Sequence, residues 1–275
     1  MLSSETIKKI EDFVSQKPRS IQEISTHLNK NWRTIDRYVN EIKENFGTID
    51  TRTFRKGTRG ALKVVYWASV EKISQSSVQK ALEKEIYEGK TKYDFSSFDI
   101  FQNIPDKKKE AIVGYEDKKY WIKDVIEKIN NTHRQIIFFS GNLSFINFKE
   151  VFESLENAVK RKVNIKIICR VDLAGKENIE KMLSLNFKYG NEVIEIHHKE
   201  QPLRGFVSDG KTIKIKEVKD PTNKENELKK QAVIFYTLKD KEWAEWLSKI
   251  FWKMFSSSIN ANKRIEEMNK LKTPN

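Results

Sequence analysis

One cysteine stands in the 275 residues, Cys169, inside the apolar run VNIKIICRV. A lone cysteine excludes an intrachain disulfide and a cysteine-built zinc site, and its apolar setting predicts a core residue. Histidine is almost as scarce: His27, His133, His197 and His198. Neither His-Glu-x-x-His, nor a glycine-rich phosphate loop, nor Gly-x-Ser-x-Gly occurs, which removes the commonest plans for zinc proteolysis, nucleotide hydrolysis and serine hydrolysis. No run approaches the ~20 apolar residues of a membrane span, and MLSSETIKKIEDFVSQ lacks the apolar core of a signal peptide. The expectation is a cytoplasmic protein with no membrane partner, no metal and no cofactor.

Acids are short as well. Lysine and arginine total 52 against 39 aspartates and glutamates, a formal charge of +13. A surplus of that size favours an anionic partner, nucleic acid first, although a lysine-rich proteome would produce the same balance. Apolar residues make up 38% of the chain and aromatics 11%, enough for packed cores.

The first seventy residues carry the clearest pattern. Ile7, Ile10, Phe13 and Val14 recur at helical spacing before Pro18. Ser20 followed by Glu23 is a capping box that opens a short helix, Ile21 to Leu28. NKN then turns the chain, and Asn31 can cap a third helix that Gly47 stops. Trp32, Ile35, Val39, Ile42 and Phe46 share its inner face, while Arg33, Thr34 and Arg37 lie opposite. Asp36 also sits on this helix and would repel phosphate unless it pairs with Arg33 or accepts from a base. Two strands follow around RKGTRG, and from Thr51 to Ala68 there is no acid, only Arg52, Arg55, Lys56, Arg59 and Lys63 among charged residues.

This order of elements, with IQEISTHLNKNWRTIDRYV and the closing VYW, resembles the winged helix-turn-helix domains of bacterial and archaeal transcription regulators over residues 5 to 68. The resemblance implies a third helix in the major groove, with Arg33, Thr34 and Arg37 near base edges. Asn29, Lys30 and Asn31 would contact phosphates at its start, and Arg52, Arg55, Lys56, Arg59 and Lys63 would reach phosphates or the minor groove. Protein contact is the alternative use of such a domain.

Beyond it, the helix containing Val78, Ala81, Leu82, Glu85 and Ile86 reads as a spacer with partial packing or a dimer-forming helix. A loop-like passage follows, in which Phe95, Phe98, Ile100 and Phe101 dock on a neighbouring surface. From 117 the pattern alternates. Helix KKYWIKDVIEKINNTH, strand QIIFFSG, helix NFKEVFESLENAVKRK, strand VNIKIICRV, helix GKENIEKMLSLNF and strand NEVIEIHH describe an α/β domain with a largely parallel core. Then LRGFVSD and TIKIKEV form a hairpin on Asp209-Gly210, and another strand precedes a long helix with an apolar stripe from Trp243 to Phe255, read as core or dimer seam. The fold class expected is multidomain α/β: a winged helix-turn-helix at 1–70, a helical linker at 71–116, an α/β domain with a mixed sheet at 117–260 and a helical tail at 261–275.

The element order over 117 to 258, with the hairpin HHKEQPLRGFVSDGKTIKIKE, resembles the phospholipase D-like fold, in particular the non-enzymatic version joined to winged helices in archaeal regulators of the TrmB type. Active members carry His-x-Lys-x4-Asp on such a hairpin. Counting back from Asp209, the lysine place holds Arg204 and the histidine place holds Pro202, which has no nucleophile. Shifting the register to His197 or His198 breaks the pattern elsewhere. The loop SGNLSF at 140–145 ends a parallel strand, where sites often lie, and a plain connecting loop is its simpler reading. Arg204 reads as an ion-pair partner or a remnant anion site. The resemblances together imply a non-enzymatic, dimeric, double-stranded DNA-binding transcription regulator whose second domain dimerises it or senses an effector. The alternative is a phospholipase D-like nuclease of a defence or restriction system.

Overall fold

The computed structural model describes residues 2–45, 48–55, 61–67, 75–115, 118–221 and 231–270. The expected helix stop at Gly47, the turn at 56–60, and the cations Lys56 and Arg59 lie outside them.

The chain starts with α1 (Ser4–Gln16), a two-residue strand β1 (Arg19–Ser20), α2 (Ile21–Leu28) and α3 (Trp32–Asn45). Ser20 and Glu23 complete the capping box: Glu23 N–H donates to Ser20 Oγ at 3.2 Å, and the Glu23 carboxylate accepts from Ser20 N–H at 2.7 Å. Asn29 closes α2 in the left-handed conformation, and Asn31 Oδ1 accepts from Arg33 N–H at 2.8 Å to open α3. Strands β2 (Ile49–Arg55) and β3 (Ala61–Trp67) pair antiparallel, and β1 adds to β3, giving the sheet order β1-β3-β2. Three helices on a small winged sheet is the arrangement the sequence predicts. Its own core is Ile10, Val14, Ile21, Ile24, Ile35, Val39, Ile42, Ile49 and Val65.

A second sheet has eight strands in the order β11-β7-β6-β5-β8-β9-β10-β4. Its centre is parallel: β5 (Gln135–Phe139), β6 (Asn164–Cys169) and β7 (Ile194–His198) run together. Beyond β5 each strand is antiparallel to the one before it: β8 (Gly205–Ser208), β9 (Thr212–Lys219), β10 (Ala232–Leu238) and the edge strand β4 (Lys109–Tyr115), while β11 (Ile259–Asn260) pairs antiparallel with β7 at the other edge. The fold is therefore mixed α/β, as expected. Alternation along β5 sends Ile136 and Phe138 to one face and Ile137 and Phe139 to the other. On the first face lie α6 (Lys118–Asn130), α7 (Lys149–Lys160), α8 (Lys176–Tyr189) and α10 (Ala261–Lys270). Against the second pack α4 (Gln75–Glu88), α5 (Ser97–Gln102) and α9 (Lys241–Ser256). Burial on both faces explains the continuous apolar runs of the central strands.

Three details differ from the sequence reading or decide between its alternatives. The loop-like passage holds a short helix, α5, whose Phe98, Ile100 and Phe101 are buried. The sheet also reaches back to Lys109, upstream of the expected start at 117, because β4 pairs along all seven residues of β10. The stripe of α9 from Trp243 to Phe255 is core rather than an open seam.

The two sheets do not stand apart. Phe54, Leu62 and Val64 of β2 and β3 join the core of α5, β9, β10 and α9 rather than that of the three helices. Phe54 meets Phe98 edge-on at 6.3 Å and Tyr236 at 6.3 Å. A buried ionic chain runs beside them. The Glu217 carboxylate accepts from Ser96 Oγ, Phe98 N–H and Tyr236 Oη at 3.0 to 3.2 Å, and Lys219 bridges Glu217 (2.9 Å) to Glu23 of the capping box (3.4 Å). Replacing Phe54 with alanine should therefore cost about 3–5 kcal/mol. Urea denaturation will detect it as a lowered midpoint.

Candidate nucleic-acid interface and the β8–β9 hairpin

Helix α3 buries Ile35, Val39 and Ile42 completely and turns the opposite side outward. Arg33 and Arg37 are exposed there, four residues apart, with Thr34 half-buried between them. Among the described residues neither arginine has a carboxylate partner; each lies over a neighbouring ring instead, Arg33 over Trp32 at 5.5 Å and Arg37 over Tyr38 at 5.4 Å. Asn29, Lys30 and Asn31 are exposed in the turn before the helix. Five of the six candidate residues on this side, all but Thr34, are thus exposed to solvent, with Asn31 Oδ1 already engaged by the Arg33 N–H.

The wing cations divide differently. Lys63 donates to Asp36 Oδ1 at 2.8 Å and Asn40 Oδ1 at 2.6 Å, tying β3 to α3. It leaves the outward set, and Asp36 is neutralised by Lys63 rather than by Arg33. Arg52 shares its strand face with Phe54, so it turns to the second sheet, where it pairs with Asp106 at 3.2 Å and covers the Phe101 ring at 4.7 Å. It too leaves the set of expected DNA contacts. Arg55 ends β2, with its side chain outside the described atoms.

The hairpin of β8 and β9 turns on Asp209 and Gly210, both at positive φ (49° and 64°), the conformation a two-residue turn of this hand requires. Asp209 does more than turn. Its carboxylate accepts from the N–H groups of His133 (3.0 Å), Arg134 (2.9 Å) and Gln135 (3.0 Å), which anchors the hairpin to the start of β5. Burial alone would raise its pKa, but these three donors hold the carboxyl below the usual aspartate value. Gly205 opens β8 because a Cβ there would lie 2.0 Å from the Lys214 carbonyl oxygen. Pro202, in the nucleophile's place, is buried against Gly89.

Both nearby histidines are occupied by structure. His197 faces the Phe255 carbonyl and Ser258 through Nδ1 (2.9 and 3.2 Å) and Glu195 through Nε2 (3.0 Å). The Val171 N–H donates to His198 Nδ1 at 2.9 Å, and burial lowers the His198 pKa, which favours the neutral ring this bond needs.

Arg204 resolves one question left by the sequence. Among the described residues it has no carboxylate partner; Nη1 donates to the carbonyls of Gln201 (2.8 Å) and Leu203 (2.6 Å), and its other edge lies along Gly141. It borders a cleft of about 250 Å³ together with Ser140, Gly141, Asn142, Lys92, Lys214 and Lys216. The 140–145 loop therefore forms a wall of this cleft. It is held in shape by Gln201 donating to the Ser140 carbonyl at 2.9 Å and Arg170 N–H donating to the Gly141 carbonyl at 2.7 Å. Sequence reasoning did not single out Lys92, Lys214 or Lys216, although the alternation Ile213-Lys214-Ile215-Lys216 carries a cationic face of β9 in plain view. No set of three histidine, cysteine or acidic side chains among the described residues could hold a metal. No helix among them is long and apolar enough to cross a membrane.

No protein-family model and no curated protein matches the chain. Solved structures give remote likenesses. Nuc from Salmonella typhimurium, a phospholipase D family member, is 15% identical with a TM-score of 0.42 over 55% of this chain and 97% of that one. NucT from Helicobacter pylori is 13% identical, TM-score 0.39, over 55% and 99%. TrmBL2, an archaeal chromatin protein with its own mode of DNA binding, is 9% identical, TM-score 0.39, over 94% of each chain. At these scores none of the three carries an argument about this chain's activity.

The depressed Asp209 pKa has a defined consequence. Its stabilising effect is fully present above the unfolded-state pKa of about 3.9 and disappears as pH falls through the folded value. Asp209→Asn should lose on the order of 2 kcal/mol at neutral pH, the scale of hydrogen bonds to a charged group. The deficit should shrink below about pH 4 in pH-dependent denaturation, and a deficit constant down to pH 2 would contradict the anchoring role.

Proposed function

We propose that this chain is a sequence-specific, double-stranded DNA-binding transcription regulator that acts as a homodimer. In this reading its second unit is a non-catalytic module for dimerisation, effector sensing, or both. The observation that carries the reading is the outer side of α3: Arg33 and Arg37 exposed without carboxylate partners, over an exposed turn of Asn29, Lys30 and Asn31. A helix in the major groove presents its residues in this way, with bidentate arginine contacts to guanine and turn residues on phosphate. The net charge of +13 supports the same partner. Lys63 and Arg52 act in this proposal as supports of the DNA-binding surface, the first by neutralising Asp36, the second by fixing the wing strand to the larger sheet. Arg55, Lys56 and Arg59 remain the proposed wing contacts. A homodimer would present two such helices to two half-sites.

The non-catalytic reading rests on Pro202 in the nucleophile's place and on the occupied ring nitrogens of His197. Incubating the protein with plasmid DNA, with and without divalent metal, should leave the plasmid intact; stoichiometric nicking would establish the nuclease reading instead.

Arg33→Ala with Arg37→Ala should weaken binding to a selected operator by roughly a hundredfold or more, at about 1–3 kcal/mol per arginine. Fluorescence anisotropy across a salt series measures it, and equal affinity of the variant and the parent chain would remove DNA readout from this helix.

A further inference from the structure

The cleft at the mouth of the hairpin is lined by cations and by aromatic rings. Arg204, Lys216 and Lys92 are among its cations, and none of the three has a carboxylate partner among the described residues. Like charges crowd here: partial enclosure by the cleft lowers the Lys216 pKa first, and Arg204 and Lys92 lower it further, although the residue stays open to solvent. Arg170, also close to Arg204, is by contrast satisfied by Asp172 at 2.6 Å. Lys214 is satisfied too, by Asp124 and by Thr237 Oγ1 at 3.0 Å. The positive charge without a carboxylate partner is thus that of Arg204, Lys216 and Lys92.

The guanidinium of Arg204 is held for a purpose that its own contacts do not exhaust. Nη1 is committed to two backbone carbonyls, which fixes the plane of the group. The Nε and Nη2 edge makes no hydrogen bond to a described residue and runs beside Gly141, where a Cβ would stand 3.3 Å from Nε and 3.5 Å from Nη2. Glycine leaves that edge open. A fixed guanidinium with a free two-donor edge matches two oxygens of a phosphoryl group, and nearby ammonium groups add charge without demanding geometry. Trp121, Phe145, Phe206 and Phe235 also line the cleft, Phe235 directly across the strand pair from Lys216. Trp121 is half-buried and stacks on Phe235 at 5.7 Å and 15°, a flat apolar wall.

We infer that this cleft binds a small phosphorylated aromatic metabolite of the nucleoside monophosphate class, its phosphoryl group on Arg204 and Lys216 and its ring on the Trp121 wall. This gives the effector of the proposed regulator a chemical class and rests on that reading only for its biological use. The volume of about 250 Å³ accommodates a molecule of that class in part, with the remainder in solvent, and excludes a folded nucleic-acid strand from entering whole.

The test is calorimetric titration of the full chain, without DNA, using adenosine 5′-monophosphate, adenosine and inorganic phosphate as probes. One site per chain is expected for the monophosphate, with each fragment binding at least about tenfold more weakly. Lys216→Met, at an exposed side chain without a partner, should keep the fold and lose about tenfold or more in affinity, the scale of one charge-assisted contact. Arg204→Lys should lose at least as much, because the two-donor edge is gone. Lys211→Met, in the hairpin turn and away from the cleft, should change nothing. Adenosine binding as tightly as the monophosphate, or unchanged affinity in Lys216→Met, overturns the inference. Displacement of the monophosphate by a short DNA duplex also overturns it, by making the cleft part of a nucleic-acid surface. Since no DNA enters the first measurement, its failure is distinct from a failure of DNA binding through α3.

Discussion

The contact on which the rest of the molecule depends is the burial of the wing strands against the larger sheet. Phe54, Leu62 and Val64 would face water in an isolated winged helix. Here they close a core with Phe98, Phe101 and Tyr236, and the small sheet is covered on both faces. Burying this apolar area is what holds the arginine-bearing helix in a set relation to the cleft-bearing sheet. The polar component of the same contact is the chain from Glu23 through Lys219 to Glu217. Such a buried ionic chain contributes less through net energy than through geometry, because each member is costly if left alone.

Strand β9 lies at the junction of these features. Its residues alternate, so Ile213, Ile215 and Glu217 face the wing side while Lys214 and Lys216 face the cleft. One extended strand thus borders the cation-rich cleft on one side and reaches, through Lys219, the capping box of α2 on the other. A strand cannot shift its register by a fraction, so a displacement imposed on one face is transmitted to the other. The same geometry gives Asp209 a structural role that does not depend on the residues at 202 and 204. The aspartate anchors the hairpin to β5, and that anchorage is needed whether or not the hairpin carries chemistry.

Wherever a local rule was strong, the elements were legible in sequence. Ser20 with Glu23, Asn31 before Trp32, and the apolar spacing of Ile35, Val39 and Ile42 are interactions within a few residues of chain. Their outcome hardly depends on the rest of the fold. The central strands were legible because burial on both faces leaves an unbroken apolar run. Strand β4 was not, since it is an edge strand whose partner, β10, is more than a hundred residues away, with Ile112 left 45% exposed. Helix α5 is six residues long, too short to declare itself by periodicity, and is held by the burial of Phe98 and Phe101.

The functional residues divide along the same line. By itself the amino-acid order determined that Arg33 and Arg37 point away from the core of α3, because helical spacing alone decides it. It also determined that no histidine occupies the place two before Arg204. Only the tertiary structure decided which cations are free. Lys63 and Arg52 look identical to the others in a basic run, yet Asp36 and Asp106 take them up across distances no spacing rule measures. Lys92 and Arg204 are far apart in sequence and come to line one cleft only through the tertiary fold. Charge is a property of a residue, but unpaired charge is a property of its surroundings, and those are set by which strands pair.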